Sequence, residues 1–387
     1  MNVAYVYPWD VVGDPSAPER LAGLGVDAVA LAASYHSTRA ATPYHPSHRV
    51  LDVPFPAFYL PIRPAAWGRL VPASPTWTPA DAYLQARDAL KAVGLPVHAW
   101  TVLTHNSHLG AAHPDLAVRN AFGDPYPYAL CPAQEDVIEY CERMVQEILT
   151  VGQPDGLILE ACGPMGFGHQ SVHEKTSGAD WTTADTDLLS LCFCTRCAPR
   201  YPEPARARVR ATIDRSLPAH RPGTAGADPT NTTPATVEDA LGPFADEVRV
   251  IRVGLSTALR EHLIAVARQT APDVPITLHA NPDPWAAGAF AALPSGEPGA
   301  DVLVASCWGD PSTDAARLAR LAELSTQSQR VGAYVLALPP RPADATVLAD
   351  HLRTYAKAGA AEFHLYHAGL ASPERLTALT EALRQVS

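Results

Sequence analysis

The sequence predicts a (β/α)8 barrel, the TIM-barrel fold, with long insertions after the second and fourth strands. Eight strand-length apolar runs alternate with helical patterns along 387 residues. That alternation is the mark of βαβ units around a parallel sheet, and eight strands close a barrel. Hydrophobic residues make up 47% of the chain, enough to fill a large core. The chain is therefore read as one domain over 1–387, with 163–243 as an insertion.

The first strand is expected at 3–7 and is followed by a helix over 18–24. A second strand at 28–33 leads into 37–76, rich in proline and aromatic residues and read as a long ordered loop on the pocket side. Thr78 then caps a helix over 79–93, with proline in its first turn. The third strand, 97–103, is paired with a helix over 134–150, and the fourth strand lies at 156–161. After it come a cysteine cluster and a Pro/Gly/Thr-rich run, 217–236, whose low apolar content predicts mobility. A long helix over 244–271 precedes the fifth strand at 276–280. The sixth strand, 302–307, and the seventh, 332–338, carry helices over 314–327 and 344–358. The eighth strand, 363–367, leads to a last helix over 373–386, capped by Ser372.

The formal net charge of −11, without any cluster of Lys and Arg, argues against nucleic acid as a partner. Arg206, Arg208 and Arg210 alternate with small residues and read as a solvated helix face. The amino terminus lacks a basic, apolar leader pattern, and no apolar run is long enough to span a bilayer, so no membrane partner is expected. Seven unevenly spaced cysteines do not form a secreted disulfide framework, which points to the cytoplasm. No organic cofactor is expected.

Side chains at the carboxyl ends of barrel strands line the site, and alternation decides which point inward. In Asp155-Gly156-Leu157-Ile158-Leu159-Glu160, outward Leu157 and Leu159 leave Ile158 and Glu160 facing the interior. Burial there raises a carboxyl pKa and suits Glu160 to acid/base or nucleophilic work, the plainer alternative being a rim ion pair. Its partner is expected among Asp310, Asp283 and Asp10, with Asp310, just above the sixth strand, ranked first. Each of the three is also an ordinary turn or helix-cap aspartate by its surroundings. The same rim gathers Tyr7, Trp9, Tyr35, His36, Trp100, His105, Asn106, His279, Asn281, Trp285, Trp308, Tyr366 and His367. Aromatic faces beside amide, imidazole and carboxylate groups suit a small-molecule carbohydrate, with C–H faces to stack and hydroxyls to bond.

Cys192-Phe193-Cys194-Thr195-Arg196-Cys197 is the most specific local pattern. Three thiols so spaced can converge on a tetrahedral zinc ion if a fourth ligand joins them. Cys131 is the first candidate and Cys162 the second. A small packed knot of reduced thiols is the alternative.

An acid ending the fourth strand, followed by a C-x-C-x2-C knot with a cysteine upstream, resembles the zinc-clamped bacterial β-galactosidases and related barrel glycosidases. The resemblance implies a glycoside hydrolase with Glu160 as general acid/base and Cys131, Cys192, Cys194 and Cys197 holding a structural zinc. Two departures stand out: Leu159 replaces the family's asparagine, and the seventh strand, Gly332-Ala333-Tyr334-Val335-Leu336, lacks the nucleophilic carboxylate. The chain is also similar to the α-galactosidase-like barrels, whose nucleophile ends strand four, although as aspartate, and whose acid/base follows strand six. That template implies the pair Glu160 and Asp310. The empty seventh strand also fits a non-catalytic sugar-binding barrel. His105, His108, His279, His364 and His367 would serve a metal-dependent barrel hydrolase, but the first strand lacks the His-x-His pair of that class.

Overall fold

The computed structural model describes residues 1–168, 175–216, 234–293 and 299–386. Most of the run predicted to be mobile, 217–233, lies outside them.

Eight parallel strands form a closed barrel: β1 (Asn2–Val6), β2 (Ala28–Tyr35), β3 (Val97–Val102), β4 (Gly156–Glu160), β5 (Ile276–Asn281), β6 (Val302–Cys307), β7 (Arg330–Leu336) and β8 (Glu362–Tyr366). Each pairs with its neighbours in sequence, and β1 pairs with both β2 and β8, which leaves no barrel edge open. All eight strands predicted from the apolar runs are present. Strands covered on both faces read as unbroken apolar runs because helices bury one side and the interior the other. β2, β3 and β4 are buried at every residue.

The helices α1 (Ala17–Ala22), α2 (Ala82–Ala92), α4 (Glu135–Glu147), α8 (Ala245–Thr270), α9 (Pro311–Leu324), α10 (Ala345–Lys357) and α11 (Pro373–Val386) fall where helical patterns were read. Among the described residues, excursions after β2, β3 and β4 decorate the carboxyl ends of the strands, the one after β3 unexpected. After β2, a hairpin pairs Thr38–Ala41 with Val50–Val53, and Ala57–Phe58 adds antiparallel to the end of β2. After β3 come α3 (Ser107–Ala112) and a second hairpin, Ala117–Arg119 with Pro125–Leu130. After β4 come α5 (Thr183–Leu189), α6 (Ala205–Ser216) and α7 (Val237–Leu241). Arg206, Arg208 and Arg210 lie exposed on α6, as the alternation with small residues implied. Among the described residues no helix is long and apolar enough to cross a membrane.

The barrel interior is unusual in composition. Branched aliphatic residues ordinarily dominate such interiors, but here Tyr5 packs edge-on against Trp100 and Tyr334, with ring centroids 4.9 Å away in both cases. His279 and His364 complete its surroundings at 6.1 and 5.8 Å. Between Ala32 and Ser34 the β2–β3 register shifts, an irregularity that re-aims the end of β2 and Tyr35.

Candidate active site

A cavity of 1270 Å³ opens at the carboxyl ends of the strands, larger than the roughly 300–1,000 Å³ of ordinary small-ligand pockets. Glu160, the last residue of β4, lines it and is 6% exposed. The indole of Trp100 donates to Glu160 Oε2 at 2.6 Å. His279 Nδ1 lies 3.2 Å from the same oxygen, out of line for an ideal hydrogen bond. Oε1 is the oxygen left free of those two groups. Burial alone would raise this carboxyl, as expected from the sequence, but His279, Trp100 and the field of His36 outweigh it and hold Glu160 below its ordinary value. The expected upward shift is thus corrected: the side chain is poised as a carboxylate. The imidazole of His279 is itself fixed by Phe290, parallel at 4.5 Å.

Of the predicted rim, Tyr35, His36, Trp100, His105, Asn281, Trp308 and Tyr366 line the cavity. Trp308 and Tyr366 stand 4.8 Å apart by ring centroid, and Trp308 lies near-parallel to Tyr334 at 5.5 Å. Tyr7 and Trp9 stack on each other at 4.4 Å behind that wall, with Tyr7 Oη 3.3 Å from Tyr366 Oη. They support the lining without forming it. His279 sits behind Glu160, and His367 is fully buried against Tyr7. Trp285 is buried and its indole donates to Glu238.

The three aspartates expected to face Glu160 have other tasks. Asp310 is exposed and caps α9, accepting from the backbone N–H groups of Ser312 and Thr313, which satisfies donors at a helix start. The Ser312 hydroxyl, together with those N–H groups, holds its carboxyl below the usual range. Asp283 is exposed and accepts the Trp285 N–H within a turn. Asp10 is buried and accepts the Tyr7 N–H at 2.8 Å, with its carboxyl pushed up to about 7 by burial. None of the three lines the cavity. Asn106, expected at the rim, instead caps α3 through the Leu109 N–H and donates to Tyr140.

Residues that sequence reasoning passed over take those places. Tyr334 of β7, Phe290 and Tyr128 line the cavity, and so do Arg39 and Asp52, which face each other across the first hairpin. Alternation along β7 could have flagged Tyr334. Nothing in a loop sequence signals which way Asp52 turns.

The cysteines converge as proposed. Cys131 Sγ lies 3.5 Å from Cys197 and 3.7 Å from both Cys192 and Cys194. All four are buried, with ligand atoms within 4.8 Å of one another. Zinc–thiolate bonds of about 2.3 Å give a tetrahedron with edges of about 3.8 Å, so the donor set and its spacing fit such an ion. Cys162 is not part of the group. The Phe193 N–H donates to Arg119 O at 2.6 Å, so the knot ties the excursion after β4 to the hairpin after β3. Among the described residues this is the only such cluster. The five histidines weighed for a metal-dependent hydrolase do not converge.

No protein-family profile and no curated protein sequence matches this chain. Solved structures do. The catalytic domain of the β-amylase from Paenibacillus polymyxa is similar at TM-score 0.52 and 13% identity, covering 99% of this chain and 97% of that one. The β-galactosidase from Bacillus circulans sp. alkalophilus gives TM-score 0.54 at 11% identity, covering 99% of this chain and 55% of that one. The β-galactosidase from Marinomonas ef1 gives 0.53 at 12%, covering 98% and 58%. The chain thus spans a little over half the length of these β-galactosidases. At such identities the likeness is one of architecture: this chain has the closed (β/α)8 barrel fold of glycoside hydrolase structures.

Proposed function

We propose that this protein hydrolyses a glycosidic bond in a carbohydrate substrate, with Glu160 as the reacting carboxylate. One observation carries the reading: a buried acid, held ionised by Trp100 and His279, ends a barrel strand beneath a wall of aromatic rings. Sugar rings would stack on Trp308, Tyr366 and Tyr334. Glu160 Oε1 would attack the anomeric carbon or take a proton from water. The partner acid is Asp52, the other carboxylate of the lining among the described residues, delivered by the hairpin after β2 and not by a strand end. Its distance from Glu160 with sugar bound would separate retention, at about 5–5.5 Å, from inversion, at about 6.5–9.5 Å. The four-cysteine group is proposed as a structural zinc clamp on an insertion of a single barrel domain, remote from the chemistry. Seven free cysteines support a reducing, cytoplasmic location.

A screen of chromogenic glycosides with wild type and Glu160→Gln tests the proposal. Cleavage by the wild type, falling at least 100-fold in the variant with the fold kept, is expected; full activity in the variant overturns it. The second reading is a sugar-binding barrel without turnover, supported by a β7 that ends in Val335-Leu336 and by the exposed position of Asp52. Calorimetric sugar binding with no product after long incubation selects it.

A further inference from the structure

Beneath the cavity, a continuous line of polar side chains runs down the barrel interior. Glu160 Oε2 is 3.2 Å from His279 Nδ1. His279 Nε2 is 3.0 Å from Tyr5 Oη, and Tyr5 Oη is 3.0 Å from His364 Nδ1. His364 Nε2 is 3.4 Å from Glu362 Oε2, whose other oxygen meets Arg330 Nε at 2.6 Å at the opposite barrel mouth. Tyr5, His279 and His364 are fully buried. His279 Nδ1, His364 Nε2 and Glu362 Oε2 make no hydrogen bond in this geometry: the 3.2 and 3.4 Å contacts are close but out of line, and none of the three atoms has another partner.

Counting protons along this line gives an unexpected result. Four contacts join the two carboxylates, the inner two as hydrogen bonds and the outer two close but out of line, and a hydrogen bond at each needs one proton between its heavy atoms. Neutral His279, Tyr5 and His364 bring one each, which makes three. With both carboxylates ionised, one contact must set two lone pairs against each other in a dry interior, at a cost of a few kcal/mol. One further proton satisfies all four contacts at once.

We propose that Glu160, His279, Tyr5, His364 and Glu362 form a proton relay that holds this one extra proton, whose position switches Glu160 between base and acid. In the first arrangement His364 is an imidazolium against Glu362. It donates through Nδ1 to Tyr5, Tyr5 donates to His279 Nε2, and His279 Nδ1–H donates to ionised Glu160. Three hops give the second: the His279 Nδ1 proton passes to Glu160 Oε2, the Tyr5 hydroxyl proton to His279 Nε2, and the His364 Nδ1 proton to Tyr5 oxygen. His364 ends neutral and Glu160 ends as a carboxylic acid, with no proton gained or lost. His279, Tyr5 and His364 are positioning residues for Glu160, the one member of the line that faces the cavity.

Burial works against the His364 imidazolium and holds that ring below its ordinary value, while Glu362 pulls the other way. Burial holds Tyr5 far above its ordinary value, so it stays a neutral hydroxyl. Glu160 also feels His36, and the Tyr35, Tyr334 and Tyr366 hydroxyls feel it in turn. At the lower end, His98, Arg330 and the amino group of Met1 act on His364 or Glu362, and burial pushes His98 down to about 4.

The inference deepens the role given to Glu160 above, but its test needs no substrate, so it can fail while hydrolysis stands, or the reverse. In the wild type, nitrogen NMR of the imidazoles is followed against pH beside the infrared carboxyl band that Glu160→Gln removes. The expected result is one common midpoint at which the His364 ring changes protonation pattern with Glu160. A His364 signal that stays constant while Glu160 titrates overturns the relay. Glu362→Gln should lower the Glu160 midpoint by roughly one pH unit, since the amide can donate to His364 and remove the need for the extra proton. In a Tyr5→Phe background that shift should vanish. A shift of the same size with the line cut would mean a plain electric field and refute the proposal; so would no shift in the intact line.

Discussion

Replacing Trp100 by phenylalanine keeps an aromatic ring in the wall but removes the 2.6 Å donor to Glu160 Oε2. A hydrogen bond to a buried charge contributes about 1.5–3 kcal/mol, and one pH unit corresponds to about 1.36 kcal/mol. The Glu160 carboxyl should therefore titrate about 1–2 units higher in the variant. Because the native carboxyl lies below its ordinary value, its contribution to stability is present above the unfolded pKa and is lost as pH falls through the folded one. Loss of packing against Tyr5 and Tyr7 adds about 1–2 kcal/mol that does not depend on pH. Urea unfolding should thus show a gap of about 2.5–5 kcal/mol between wild type and variant at pH 7. The gap should narrow toward the packing part as pH is lowered toward 3. A gap constant with pH, with the infrared carboxyl titration unmoved, would refute the claim that Trp100 holds Glu160 ionised.

Asp10→Asn keeps an acceptor for the Tyr7 N–H but removes a carboxyl pushed up to about 7 by burial. Between pH 4 and 7 the native wild type binds more protons than the unfolded chain, so its stability falls as pH rises through that window; the variant should lack this component by up to a few kcal/mol in urea midpoints. Purified protein should carry one zinc per chain, and Cys131→Ser or a strong chelator should lower the melting temperature while leaving the far-ultraviolet signature of the barrel; a metal count of zero would remove the clamp. Asp310→Asn should leave any glycoside cleavage within twofold of wild type and cost at most a few degrees of melting temperature, since asparagine still caps α9. A 100-fold loss of turnover there would restore Asp310 to the chemistry.

The barrel was readable because each strand is an apolar run of strand length between helical patterns, and two-sided burial removes the alternation that exposed strands show. Glu160 was readable for the opposite reason: a lone charge at the end of such a run has few places to go but the cavity. The cysteine group is a matter of local spacing plus one distant partner, and Cys131 was found by its place after β3. What could not be read depends on neighbours across strands. The direction of the Glu160 shift is set by Trp100 and His279, which reach it only through the stagger of three strands. Asp310-Pro311 followed by Ser312 and Thr313 is a helix-start pattern in its own right, and weighing that signal more heavily would have removed the aspartate from the site. The excursion after β3 escaped notice because its helix spans six residues and its first hairpin strand three, too short for periodicity to register.

The ring-filled interior has a consequence for altering this protein. Tyr5 must match four neighbouring rings in shape while offering one hydroxyl to two imidazoles, and no other amino acid satisfies both demands. Aliphatic barrel cores can be repacked by trading volume among several positions; here each trade would also strand a polar atom. Latitude for new specificity therefore belongs to the decorations above the strands, such as half-exposed Trp308 and the Arg39–Asp52 hairpin, where a changed side chain meets the ligand and leaves the wiring below untouched.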